Sequence, residues 1–156
     1  MTTHVRQQIR DYLVTALTGL TTTGSRVFKS RPLHRQLQTS ELPALLIYTD
    51  GEDVSADTMG GPLGQIERTL RVRIEAVVRG TSAFDDNIDL IIKEVEIALN
   101  ASNTVFTLNN LSRRGIVLQA VEDPEFDGEG DKVVGRVAMT WVAIYRTVAN
   151  APATAI

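Results

Sequence analysis

Hydrophobic and polar positions alternate most regularly over residues 65–79, QIERTLRVRIEAVVR. Ile66, Leu70, Val72, Ile74, Ala76 and Val78 hold the even positions, broken only by Arg68. Glu67, Thr69, Arg71, Arg73, Glu75 and Arg79 hold the odd ones, broken by Val77. Successive side chains of a strand point to opposite faces, so this stretch reads as one strand with a buried face and a charged face. At about 3.3 Å per residue it spans roughly 45 Å, well beyond an ordinary strand.

The rest of the chain arranges itself around that spine. Over residues 3–20, Val5, Ile9, Tyr12, Leu13, Ala16, Leu17 and Leu20 recur at three- and four-residue spacing, which marks an amphipathic helix stopping near Gly19. A short strand at 26–30 and an irregular basic loop follow. Residues 44–48 are apolar on both faces and read as a central strand. Residues 50–64 contain Gly51, Gly60, Gly61 and Gly64 with no periodicity, and read as a long loop of the functional or disordered kind. Phe84, Ile88, Ile91, Ile92, Val95, Ala98 and Leu99 line one face of a second helix. Ser82 with Asp85 fits a capping box, and Asp85, Asp86 and Asp89 suit the positive end of the helix dipole. Strands at 115–121 and 132–146 then flank an acidic turn, 122–131, and residues 148–156 read as a flexible C-terminal tail.

The expected order is α-β-β-β-α-β-β. It describes a single α+β domain over residues 1–147, a mixed, mainly antiparallel sheet of four to five strands with two main helices packed on it. At 156 residues one domain is the simplest division. Cysteine is absent, which excludes disulfides and thiolate chemistry, and two histidines make a histidine-rich metal site a poor fit. No stretch approaches the roughly 18 apolar residues of a membrane-spanning helix, and the N-terminus lacks a signal-peptide layout, so a cytosolic protein without a membrane partner is expected. The net charge is −3, unfavourable for general nucleic-acid binding. Its distribution is uneven: residues 1–50 carry six Lys/Arg against three Asp/Glu, residues 51–156 ten against sixteen. Such segregation suits head-to-tail association.

Candidate chemistry is sparse. EDPEFDGEGD, residues 122–131, echoes the start of a calcium loop, but its third position is Glu125, Val134 stands where the bidentate glutamate belongs, and no helix flanks it. His4 and His34 have no serine or cysteine elbow near them in sequence. Gly60, Gly61 and Gly64 precede a strand, with no following Lys-Ser/Thr, unlike a phosphate loop. Arg26, Lys29, Arg31, His34 and Arg35 form a basic cluster with little interleaved aromatic character, better suited to an acidic protein neighbour than to phosphates. No catalytic, cofactor or metal residues are assigned, and the chain is expected not to be an enzyme. The candidate interface residues are Arg26, Arg31 and Arg35, then Arg71 and Arg73 on the charged face of the spine, and Glu125, Asp127 and Glu129 in the acidic turn.

Residues 9–53, IRDYLVTALTGLTTTGSRVFKSRPLHRQLQTSELPALLIYTDGED, carry a leading amphipathic helix, a turn into RVF-x-SR, then LPALLIY-T-D-GE. This pattern resembles the N-terminal half of phage tail-terminator proteins, the minor tail protein U group. A long R-x-L-x-V strand, a helix opening at Asp85-Asp86 and a closing hairpin extend the resemblance more loosely. The resemblance implies a structural virion protein whose subunits form a homo-hexameric ring on the growing end of the tail tube. Such a ring stops polymerisation of the major tail tube protein and offers the surface that joins a head–neck connector protein. It implies assembly in the host cytoplasm, a place at the head-proximal end of the tail, and passage of genome DNA through the lumen without specific recognition. A neck or head–tail connector subunit, or a small ligand-binding domain, remains the alternative.

Overall fold

The protein is described here by a computed structural model covering residues 3–29, 37–56, 64–101, 110–130 and 133–156. The expected spine is β3, Gln65–Arg79; its burial alternates as the sequence does from Leu70 to Ile74, and then Glu75 and Val77 are buried as well. It pairs antiparallel on one side with β2, Ala44–Ala56, and on the other with β6, Val134–Val148, through all fifteen residues from Gln65↔Val148 to Arg79↔Val134. A three-residue β1, Val27–Lys29, adds parallel to β2. Because β3 covers one whole edge of β6, the three remaining strands share its other edge. They are β5 (Glu125–Asp127), β4 (Ile116–Val121) and β7 (Ala151–Ala155), met in that order along β6. The architecture is the expected single α+β domain with a mixed, mainly antiparallel sheet, but the sheet has seven strands.

Both helices, α1 (Val5–Leu17) and α2 (Phe84–Asn100), cover one face of this sheet. Val5, Ile9, Leu13 and Leu17 from α1, and Ile88, Ile91, Val95 and Leu99 from α2, meet Leu45 and Ile47, the even residues Leu70 to Val78 of β3, and the odd residues Val137 to Tyr145 of β6. Trp141 and Tyr145 are fully buried there. His4 caps α1 by accepting a hydrogen bond at Nδ1 from the Arg6 amide, 3.1 Å away. The expected capping box of α2 is not formed: the cap position is Ala83, with no side-chain hydrogen bond. Phe84 packs instead over Gly135 of β6 and against Phe126 of β5, ring centroids 4.8 Å apart.

Two further expectations are revised. Residues 50–56, read as the start of a loop, continue β2, with residues 57–63 of that expected loop lying outside the described residues. A β-bulge near Asp50 absorbs the irregularity: the register passes from Thr49↔Val72 to Gly51↔Arg71, and Gly51 takes φ +124°, a conformation that suits glycine. Residues 151–155, read as part of a tail, form β7 on the edge of β6. They are held further by the Ile156 amide donating to the Arg146 carbonyl, 3.0 Å, and by Gln8 Nε2 donating to the Ala153 carbonyl, 2.8 Å. Small residues at an edge need only their backbone to be held, which a hydrophobic pattern does not register.

Candidate assembly surface

The face of the sheet away from the helices carries the odd residues of β3. Arg71 and Arg73 therefore stand on it, as the alternation required. Arg71 lies over the bare Cα of Gly51, with Nη2 2.9 Å from where a Cβ would sit, and pairs with Asp53 at 2.5 Å. That ion pair is open to solvent, Asp53 being 73% exposed. Arg73 is held far more firmly. Its two terminal nitrogens donate to both Glu122 oxygens, each at 2.7 Å, and Nε donates to Glu75 Oε1 at 3.2 Å. Burial alone would lower the Arg73 pKa, but the hydrogen bonds to Glu122 and Glu75 outweigh it and raise the value.

Glu75 is the unexpected member. Its place among the odd residues predicts a solvated carboxylate, yet it is only 2% exposed. The Tyr48 hydroxyl donates to Glu75 Oε1 at 2.6 Å, while Oε2 has no partner among the described residues. Glu75 borders a cavity of about 10 Å³, roughly the room of one water, lined also by Arg73, Glu122, Glu125 and Arg136 among others. Burial, then the hydrogen bond to Glu75, pushes the Tyr48 pKa well above the usual phenol value. The helix-covered face has a matching charged group. Arg68, the one break in the apolar pattern of β3, pairs with Glu52 at 2.9 Å, and Glu52 also accepts from the Tyr145 hydroxyl, which burial and that bond shift upward in the same way.

Beside Glu75 the open face forms a cleft of about 530 Å³. Leu46, Val77 and Val134 contribute its apolar wall; Arg136, Asp127 and Glu129 contribute its charge. This is why Val77 interrupts the polar side of β3: it is 2% exposed in that wall. The structure thus brings Arg73 and Glu125 to one small cavity and sets Asp127 and Glu129 at the adjoining cleft, all within one chain. Glu125, Asp127 and Glu129 are exposed, and Asp127 also accepts from the Gly128 amide at 2.9 Å. Arg26 is used differently: Nε donates to the Pro43 carbonyl at 2.8 Å and Nη2 to the Thr22 carbonyl at 3.0 Å, tying the start of β1 to the start of β2. Arg31 and Arg35, with His34, lie outside the described residues. Among the described residues no group of three or more His, Cys, Asp or Glu is placed to hold a metal ion.

No protein-family model matches the chain, and no curated protein matches it. Among solved structures, one chain of the "Virion of native gene transfer agent (GTA) particle" is similar, with 18% identity and a TM-score of 0.49 over 92% of this chain and 92% of that one.

Proposed function

We propose that this chain is a structural virion protein of the tail-terminator kind. In this reading its subunits close into a hexameric ring on the tail tube, stop addition of the major tail tube protein, and present the surface to which a head–neck connector attaches. The supporting observation is local. Within residues 9–53, the segment that resembles tail terminators, the described residues form a helix, a short strand and a longer strand, the order that the resemblance implies. The charged open face of the sheet and the acidic rim of the cleft supply protein-binding surface of suitable character.

The test is removal of the protein from the particle that encodes it, with tail length measured by electron microscopy. Tails of uncontrolled length are expected. Tails of normal length that fail to join heads would favour a neck connector subunit instead, and unchanged particles would refute both.

A further inference from the structure

Among the described residues the sheet ends on two unpaired edges, one on each side. On the first side β1 accompanies β2 only from Leu45 to Ile47, so among the described residues β2 has no neighbour on this side from Tyr48 to Ala56. The direction of its backbone groups follows from the hydrogen bonds. The Leu45 amide donates to the Arg26 carbonyl, so odd residues of β2 face outward before the bulge and even ones after it. Glu52, Val54 and Ala56 therefore turn N–H and C=O away from β3, and none of the described residues supplies a partner. On the second side the carbonyls of Ala138 and Ile144 accept from Glu122 and Arg113, so Val117 and Ala120 of β4 face β6. Ile116, Leu118 and Val121 then face outward, equally without partners among the described residues.

The two edges are similar in length, and the leading end of each carries charge of opposite sign, although Glu122 and Asp123 follow β4 at its far end. Beside the β2 edge stand Asp50, which has no ion pair among the described residues, and Asp53, whose carboxylate is 73% exposed despite Arg71. Immediately before β4 stand Arg113 and Arg114, both exposed and both without side-chain partners among the described residues. Each edge also bears an exposed valine on the helix-bearing face, Val54 at 56% and Val121 at 47%. Identical β2 edges meeting about a two-fold axis would run antiparallel and set Asp53 against Asp53, whereas the β2 edge running parallel to the β4 edge of another copy brings Asp50 and Asp53 towards Arg113 and Arg114. Unpaired edges are templates for a further strand, and a contact between unlike patches propagates from copy to copy.

We propose that copies of this chain associate by joining the distal edge of β2, residues 50–56, to the β4 edge of the next copy, so that one sheet continues into another. This goes beyond the ring reading by naming the contact that would close it, and it rests on that reading only for the number of copies.

The parity of β2 supplies a sharp test. Val54→Pro removes an N–H that no bond among the described residues uses, so β2 stays paired with β3, as proline on an edge strand allows. Circular dichroism and Trp141 emission are expected to match those of the parent, while the oligomers of the parent in native mass spectrometry are lost. Because the chain has no cysteine, crosslinking adds a second readout. A mixture of Val54→Cys and Val121→Cys proteins, treated with a short flexible bismaleimide, is expected to give a heterodimer that neither gives alone. Parental oligomers that survive Val54→Pro would overturn the edge contact and leave the ring reading standing. A dimer of Val54→Cys with itself would overturn it in favour of a two-fold contact. Absence of both oligomers and crosslinks at high subunit concentration would overturn the edge contact together with self-assembly.

Discussion

Gly135→Ala probes how the acidic turn is fastened to the body of the fold. A Cβ at this position would sit 2.2, 2.6 and 2.9 Å from three carbons of the Phe84 ring, and an interior strand residue has little freedom to retreat. If the ring is pushed out, the protein forfeits the burial of a side chain now 5% exposed, about 1.5–3 kcal/mol, and its contact with Phe126, about 0.5–1.5 kcal/mol. If β6 shifts instead, overpacking costs about 1–3 kcal/mol. Replacing a strand glycine by alanine returns about 0.5–1 kcal/mol of backbone entropy. The net expectation is a loss of about 1–3 kcal/mol, read from urea unfolding followed by the emission of the single, buried Trp141. The decisive measurement is the same substitution in a Phe84→Ala background, where the ring is gone. There it should be neutral or stabilising by about 0.5–1 kcal/mol, even though Phe84→Ala alone costs about 3–5 kcal/mol. Equal costs in the two backgrounds, within the ~0.5 kcal/mol expected of independent sites, would refute the contact as the reason for glycine.

The two arginines of the open face should separate by magnitude. Arg71→Ala breaks a solvent-exposed pair and should cost at most about 1 kcal/mol, whereas Arg73→Ala leaves Glu75 buried without its cation and should cost about 3–5 kcal/mol; equal losses in urea unfolding would contradict this. Alkaline pH is a further lever, because Tyr48 and Tyr145 have folded-state pKa values raised above the unfolded one. The folded chain then holds protons that the unfolded chain releases, so their stabilisation is intact below about pH 10 and is lost as pH rises beyond it. Tyr48→Phe with Tyr145→Phe should flatten the fall in urea midpoint above pH 10, and an unchanged slope would assign it to other groups.

What could be read from the sequence was whatever local periodicity controls. The alternation of β3 announced both its faces, and the two helical stripes became the lid of the core. What escaped was set by distant partners. Arg68 sits on the buried face because Glu52, reaching across from β2, pairs with it. Glu75 reads as surface because nothing nearby in sequence reveals that Tyr48, from β2, closes over it beside its neighbour Arg73. TDGEDVSA, residues 49–56, has the composition of a loop and becomes a strand because β3, itself supported by β6, offers it a full ladder. The candidate interface was legible only as charge: Arg26 looked free in the sequence and is tied to two backbone carbonyls.

The complete pairing of β3 with β6 also has a kinetic consequence. Its partners lie between 55 residues apart in sequence, at Arg79↔Val134, and 83 apart, at Gln65↔Val148. Closing such loops costs entropy before any contact compensates it, so the step is slow by topology. Three other strands depend on β6 for their edge, and β6 also supplies one wall of the hydrophobic core. A nascent chain that has not yet released β6 from the ribosome can hold its two helices and the β2–β3 hairpin only as a partial assembly with one side of the core exposed. Folding of this domain is therefore committed only once β6 is free to pair with β3.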